Sequence, residues 1–153
     1  MKINNPGYDQ VLRAPTKTIA FTGAAGLGQV ASPVTIWTIT GRVLLLHGTA
    51  FCTETVVSTG GTGTIALGSA SNTGRLISAL TVGVGTLAVN EWWSPANTQA
   101  GVEYEWGSTT SGNGVGWGVA ENIIITVATN AITDGTLVFD CWYLPITVGA
   151  ILT

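Results

Sequence analysis

The chain has 153 residues with a formal net charge of −3, and only 8% of them are charged, compared with about 25% in an average soluble domain. One domain is expected at this length, and its five Lys and Arg residues are too scattered to form the basic footprint of a nucleic-acid-binding protein. The mean hydropathy of +0.44 requires a surface rich in apolar and hydroxyl groups, which suits a protein packed against other proteins better than a freely diffusing enzyme.

The first 16 residues predict an extended arm that precedes the domain. The pairs Pro6-Gly7 and Ala14-Pro15 favour turns and extended backbone. Three of the five cations fall in or beside this segment, namely Lys2, Arg13 and Lys17. Two interpretations stay open: a solvated tail, or an arm that lies on an acidic partner surface. The start of the chain has no apolar central region, so we expect synthesis in a cytoplasm without a signal peptide.

The remainder predicts short strands separated by Gly-rich turns, because apolar and polar residues alternate with period two and no segment keeps a helical period. The predicted strands are residues 17–22, 30–40, 42–57, 64–68, 75–82, 90–93, 101–106, 121–129 and 135–147, with loops at 23–28, 58–63 and 107–118. Such a series predicts an all-β, single-domain antiparallel fold, a sandwich or a barrel, and a jelly roll if eight strands form two Greek keys. The expected domain spans residues 17–147, with a C-terminal tail at 148–153.

A glycine-rich stretch at residues 22–28, Thr-Gly-Ala-Ala-Gly-Leu-Gly, superficially matches a dinucleotide-binding turn. That turn needs a helix N-terminus directly after the glycines to hold the pyrophosphate. The following residues are β-branched and include Pro33, so no helix can begin there. We therefore predict a loop and no cofactor.

Few residues are candidates for catalysis or metal binding. His47 is the single histidine and lies inside the longest predicted strand, and the two cysteines, Cys52 and Cys141, are too far apart in sequence for a metal motif. We expect both cysteines to be buried, reduced thiols, and a disulfide stays open if their strands are neighbours. Glu103 and Glu105 share one face of a predicted strand, as a glycosidase pair could, or they solvate that face. We expect no catalytic residue, no metal and no enzyme activity.

Tryptophan is enriched, with six residues, four of them between positions 92 and 117. Trp92 and Trp93 are adjacent, so in a strand one enters the core and the other meets solvent, a ligand or a subunit. Trp117 stands among glycines beside a predicted loop. The tryptophans are interpreted as core or subunit-interface anchors, and the alternative is an aromatic platform that stacks on a sugar ring.

The strand style and order resemble phage capsid decoration, or cement, proteins. The resemblance is carried by Thr-Lys-Thr-Ile-Ala-Phe-Thr-Gly-Ala-Ala-Gly-Leu-Gly-Gln-Val at 16–30 and Val-Thr-Ile-Trp-Thr-Ile-Thr-Gly-Arg-Val at 34–43. It continues with Cys-Thr-Glu-Thr at 52–55, Gly-Thr-Ile-Ala-Leu-Gly at 63–68 and Gly-Thr-Leu-Val-Phe-Asp-Cys-Trp-Tyr-Leu-Pro-Ile-Thr at 135–147. It implies a β-sandwich, often trimeric, that sits on the outside of a phage head and braces neighbouring major capsid subunits.

The expected partners are therefore the major capsid protein and further copies of this chain, most simply in a trimer, with no nucleic acid and no membrane. The expected location is the capsid surface of a virion. Alternatives are a tail, neck or head-fibre component of a virion, or a carbohydrate-binding β-sandwich module. The candidate capsid or subunit interface consists of Lys2, Ile3, Tyr8, Val11, Leu12, Arg13, Trp92, Trp93 and Trp117.

Overall fold

A computed structural model describes residues 11–82, 87–94, 97–100 and 117–153, of which 94 and 97–100 are described as backbone only. Thirteen strands are present in these ranges, and the one helical element there is a 3-10 turn at Thr59–Gly61. The strands are β1 (Leu12–Arg13), β2 (Lys17–Ala20), β3 (Val34–Trp37), β4 (Ile39–Thr40), β5 (Val43–Ser58), β6 (Gly63–Gly68), β7 (Ile77–Val82), β8 (Glu91–Ser94), β9 (Asn97–Ala100), β10 (Trp117–Val119), β11 (Ile123–Ala128), β12 (Ile132–Pro145) and β13 (Ile151–Leu152). Within the described chain no helix has the length and apolar character to span a membrane.

Two antiparallel sheets form the body of the molecule. The larger has the order β1-β12-β5-β8-β9, with β2 also on β12 and β10 also on β5. The smaller has the order β3-β11-β6-β7, and β4 pairs with β13 in a short ribbon. The predicted all-β sandwich is confirmed.

The pairing between strands is nested. Strand β2 pairs with β12, β3 with β11, β5 with β8, and β6 with β7. The chain therefore runs out to β6, turns back at β7 and retraces its path, so that its early and late strands lie side by side. The two central strands of the larger sheet, β5 and β12, are also the longest, at 16 and 14 residues.

Alternation of side chains across β12 explains where the core sits. Leu137, Phe139, Cys141 and Tyr143 are buried between the sheets, whereas Val138, Asp140, Trp142 and Leu144 are half-buried on the outer face. This is the alternation that the sequence predicts for the segment. The Phe139 ring meets Trp37 of the smaller sheet edge-on, with the centroids 6.3 Å apart. Contacts of this kind join the two sheets across one core.

Glycines at residues 23–28 form a loop, as predicted. Gly23, Gly26 and Gly28 have φ between 72° and 113°, which lies in the left-handed region, and the chain continues without a helix into β3. A Cβ at Gly28 would lie 2.2 Å from the carbonyl oxygen of Ile132, so this position also needs glycine for close packing on the start of β12.

Other expectations about the elements were incomplete. The extended segment 30–40 is divided into β3 and β4, and Trp117 and Gly118, predicted to lie in a loop, begin β10. Strand β10 forms because β5 has a free edge at Val43–Leu45 that a short extended segment can complete. The predicted strand 101–106 and most of the predicted loop 107–118 lie outside the described residues.

Candidate functional site: the outer face of the larger sheet

Three cross-strand rows of side chains cover the outer face of the larger sheet. Arg13, Trp142 and His47 are opposite one another on β1, β12 and β5. The next row places Asp140 opposite Thr49. The third row runs Thr18, Val138, Phe51 and Trp92 over four strands. Directly opposed side chains on a sheet are close enough to interact, so these rows form two aromatic stripes on either side of a polar one.

The first row stacks a cation and two rings. The Arg13 guanidinium lies 5.7 Å from the Trp142 ring centroid, and the His47 ring lies 5.4 Å from it on the next strand. The guanidinium can therefore bind the tryptophan by a cation–π interaction. Burial lowers the pKa of His47, which favours the neutral imidazole.

The polar row fastens the N-terminal segment to β12. Both Arg13 Nη2 and Thr16 Oγ1 donate hydrogen bonds of 2.6 Å to Asp140 Oδ1. Desolvation opposes ionisation of this carboxyl, but the hydrogen bonds from Thr16 and Arg13 and the Arg13 charge outweigh it and lower its pKa. Two further bonds act nearby: the Ala14 amide donates to the Cys141 carbonyl, and Trp37 Nε1 donates to the Pro15 carbonyl. Residues 12–16 are thus held on their own domain.

The adjacent tryptophans take opposite sides, as expected. Trp93 is fully buried in the core, and its Nε1 has no hydrogen-bond partner among the described residues. Trp92 is half-buried on the outer face, where its ring centroid lies 4.7 Å from that of Phe51 at an angle of 55°. The Trp92 ring is therefore partly covered by Phe51 of the same chain.

The structure scatters the candidate interface residues over several environments. Lys2, Ile3 and Tyr8 lie outside the described residues. Val11 is exposed, and Leu12 is half-buried opposite Tyr143 in the β1–β12 pair. Trp117 packs against the core opposite Leu45. Among the described candidates, Arg13 and Trp92 lie on opposite sides of the outer face, whereas Leu12 packs against the core with Tyr143.

The residues considered for chemistry do not converge. Cys52 and Cys141 are buried free thiols on neighbouring strands. They are out of register, since Cys52 is opposite Leu137 and Cys141 is opposite Gly48, about 13 Å away along the strands. A disulfide cannot form over that distance. Burial raises the pKa of the Cys52 thiol and raises that of Cys141 to about 12. In the described part of the chain no group of three His, Cys, Asp or Glu residues could hold a metal ion, and Glu103 and Glu105 lie outside it.

Sequence reasoning missed an exposed apolar turn after β12. Ile146, Val148 and Ile151 are among the most exposed large hydrophobic residues of the described chain. Ile146 and Val148 lie in the turn between β12 and β13, and Ile151 is the first residue of β13. We call residues 146–151 the apolar tip. The signal was present, since Val-Gly at positions 148–149 puts a β-branched residue in a turn, where polar residues are usual. From the sequence, residues 146 and 147 were expected to end the last strand, and residues 148–153 were expected to form a C-terminal tail.

Comparison with known proteins gives one structural likeness. No protein-family model and no curated protein sequence matches the chain. The fold is similar to a chain of a solved structure described as the cyanophage Pam1 capsid asymmetric unit, with a TM-score of 0.53 and 20% sequence identity. The match covers 95% of this chain and 91% of that one, so the two chains have nearly the same length. At this identity the likeness shows a shared fold.

Proposed function

We propose that this protein is a structural component of a phage virion that binds the outside of the capsid and stabilises the shell by bridging major capsid subunits. The observation that carries the proposal is the fold likeness over nearly the whole of both chains to a chain from a phage capsid asymmetric unit. Because that chain is of similar length, the likeness concerns a small subunit and not one domain of a large one.

The strand order supports the same conclusion. The nested pairs of β2 with β12, β3 with β11, β5 with β8 and β6 with β7 are joined by the β12–β5 and β11–β6 pairs. This gives a Greek-key arrangement of two four-stranded units, β2-β12-β5-β8 within the larger sheet and β3-β11-β6-β7. We propose that the sandwich is a jelly roll, an architecture that recurs in viral capsid proteins. Strands β1, β9 and β10 are then additions to the larger sheet, and β4 and β13 form a separate ribbon.

The surface supports a role in assembly. The outer face of the larger sheet is apolar and aromatic, and a surface of this kind is better suited to contact with another protein than to contact with water. The pKa of each thiol is raised by burial, so thiolate chemistry is disfavoured. We propose that the protein is not an enzyme, and that it acts as a trimer on the capsid surface.

The experiment is a cosedimentation assay with native phage heads from which the protein has been stripped, followed by cryo-electron microscopy of the rebound particles. Saturable binding, with density over the joints between shell subunits, is the expected result. Density on the tail or neck would replace the proposal with a tail or neck role. If the protein bound neither heads nor tails but bound a glycan array, the carbohydrate-module interpretation would replace it.

A further inference from the structure

The backbone of the apolar tip is held in place by hydrogen bonds. The amides of Ile146 and Thr147 both donate to the Arg42 carbonyl, the Ala150 amide donates to Thr147, and the Arg42 amide donates to Thr147 Oγ1. Gly41 has a φ of 76°, and a Cβ there would lie 2.6 Å from Thr147 Oγ1. The turn is thus closed by four hydrogen bonds and by a glycine that its neighbours require.

This rigid turn presents apolar side chains to solvent. Val148 is 106% exposed at its apex, with Ile146 and Ile151 on either side at 48% and 43%. Half-buried Leu44 and Leu144, paired on β5 and β12, lie behind it on the outer face. Turns that only reverse the chain usually carry polar residues or glycine, so exposed valine and isoleucine at this turn indicate a contact surface.

Charge distinguishes the two ends of the β5–β12 pair. Arg42 is exposed beside the tip, and in the described residues the one ion pair is that of Arg13 with Asp140. At the same end the smaller sheet carries Arg75 and Glu121, one charge of each sign, and Glu121 accepts hydrogen bonds from Ser71. The tip end of the larger sheet is therefore apolar with a positive border.

The opposite end of the pair is apolar with a negative border. We call it the acidic end, defined by Val57, Val89, Glu54, Glu91 and Asp134. Val57 and Val89 are 45% and 49% exposed, and Val57 is opposite Asp134. The Val89 amide donates to Thr55 Oγ1, and Thr136 Oγ1 donates to Glu54, so β5 and β12 hold these groups on one surface. Strand β5 has 16 residues, which separates the two ends by about 50 Å along the strand.

We propose that copies of this chain associate head to tail, with the apolar tip of one copy against the acidic end of the next. Each contact then buries valine and isoleucine side chains and brings Arg42 towards Glu54 and Asp134. A contact between two tips would instead bring the Arg42 side chains of the two copies together. A contact between two acidic ends would bring their carboxylates together. A contact between two different surfaces is heterologous, so it closes into a ring when the rotation allows and otherwise extends into a filament.

The test uses two single variants with one damaged surface each. Val148→Asp places a carboxylate on the tip, and Val57→Asp adds one to the acidic end. Ala79→Asp is the matched control, since it adds the same charge at an exposed position of β7 in the smaller sheet. Circular dichroism and urea unfolding verify that all three variants fold. Sedimentation velocity at low micromolar concentration then measures their assembly. We expect the wild type and Ala79→Asp to form the same oligomer, and each valine variant alone to be monomeric.

Mixing the two valine variants tests the head-to-tail arrangement itself. The Val148→Asp copy keeps a sound acidic end and the Val57→Asp copy keeps a sound tip, so the mixture should form dimers and nothing larger. A tip-to-tip interface predicts that Val57→Asp associates alone, and that result overturns the proposal. A mixture of the two variants that stays monomeric also overturns the proposal, and so does a wild-type protein that is monomeric at every concentration.

The inference concerns contacts between copies and does not rest on the capsid role. The two fail separately in the same samples: a wild type that assembles but ignores stripped heads refutes the proposed function and leaves the head-to-tail contact standing. If assembly is driven by Arg42 and the acids, raising NaCl from 0.05 to about 0.5 M should weaken it severalfold, because exposed charges are screened over shorter distances at higher salt.

Discussion

Asp140→Asn should loosen the N-terminal segment without unfolding the domain. The carboxylate accepts hydrogen bonds of 2.6 Å from both Arg13 and Thr16. Its side chain is 22% exposed and that of Arg13 is 56% exposed, so solvent screens the ion pair, which at such a site is worth about 0.2–1 kcal/mol. The charged hydrogen bond from Thr16 adds a contribution that exposure also reduces. We expect a total loss of about 1–2 kcal/mol in the free energy of unfolding at pH 7.

Hydrogen exchange distinguishes local from global loosening. The Ala14 amide, which bonds to the Cys141 carbonyl, should lose protection in Asp140→Asn, whereas amides of β11 in the smaller sheet should change only by the global shift. Thr16→Val is the companion variant, because it removes one donor and keeps the charge pair. Unchanged Ala14 protection together with an unchanged unfolding midpoint would refute the role assigned to Asp140.

The same group sets an acid dependence with a definite sign. Its pKa is lowered in the folded state, so the folded protein holds the ionised form more strongly than the unfolded chain does. The stabilisation is complete well above the unfolded value of about 3.9, and it is lost as pH falls through that value towards the lower folded pKa. In Asp140→Asn this part of the acid transition should be absent.

The remaining predictions concern the core, the thiols and the tip. Phe139→Ala should cost about 3–5 kcal/mol in urea unfolding, because the ring is fully buried against Trp37, and a loss below 1 kcal/mol would contradict that packing. Cys141 should resist a thiol-reactive dye at pH 8 until denaturant is added, since its pKa is about 12 and it is buried. Gly41→Ala should lower the melting temperature more than Gly149→Ala: both have a φ of 76°, but only Gly41 lacks room for a Cβ. Equal shifts in thermal melting would count against the rigid turn.

Local pattern predicted the body of the sandwich well. Segment 42–57 appears as β5 at Val43–Ser58, and 64–68 appears as β6 at Gly63–Gly68. These strands have one buried and one solvated face or are bounded by glycine, so short-range alternation carries the information. The split between Trp92 and Trp93 followed from the same rule.

The edge strands could not be predicted in the same way. Strands β1 and β13 have two residues each, and β10 has three, so none shows a period of its own. Strands β1 and β10 form because a longer neighbour offers unpaired backbone groups, as β12 does for Leu12 and Arg13, whereas β13 pairs with the equally short β4. The hydrogen bonds of Asp140 with Arg13 and Thr16 could not be predicted either, because they join residues more than 120 positions apart and no local pattern predicts such a contact.

The apolar tip is the place where the local rules fail and the structure does not compensate within the chain. Pattern, turn chemistry and burial agree along β5 and β12, as they do in sequences that specify one structure. At Val148 they disagree, because a β-branched residue occupies a turn apex and is fully exposed there, although backbone hydrogen bonds from Ile146, Thr147 and Ala150 close the turn around it. Departures of this kind in a well-ordered fold are expected where function sets the residue. For a chain with so few charges the most economical explanation is that the tip is buried when the protein assembles, and the paired valine variants decide whether a second copy buries it.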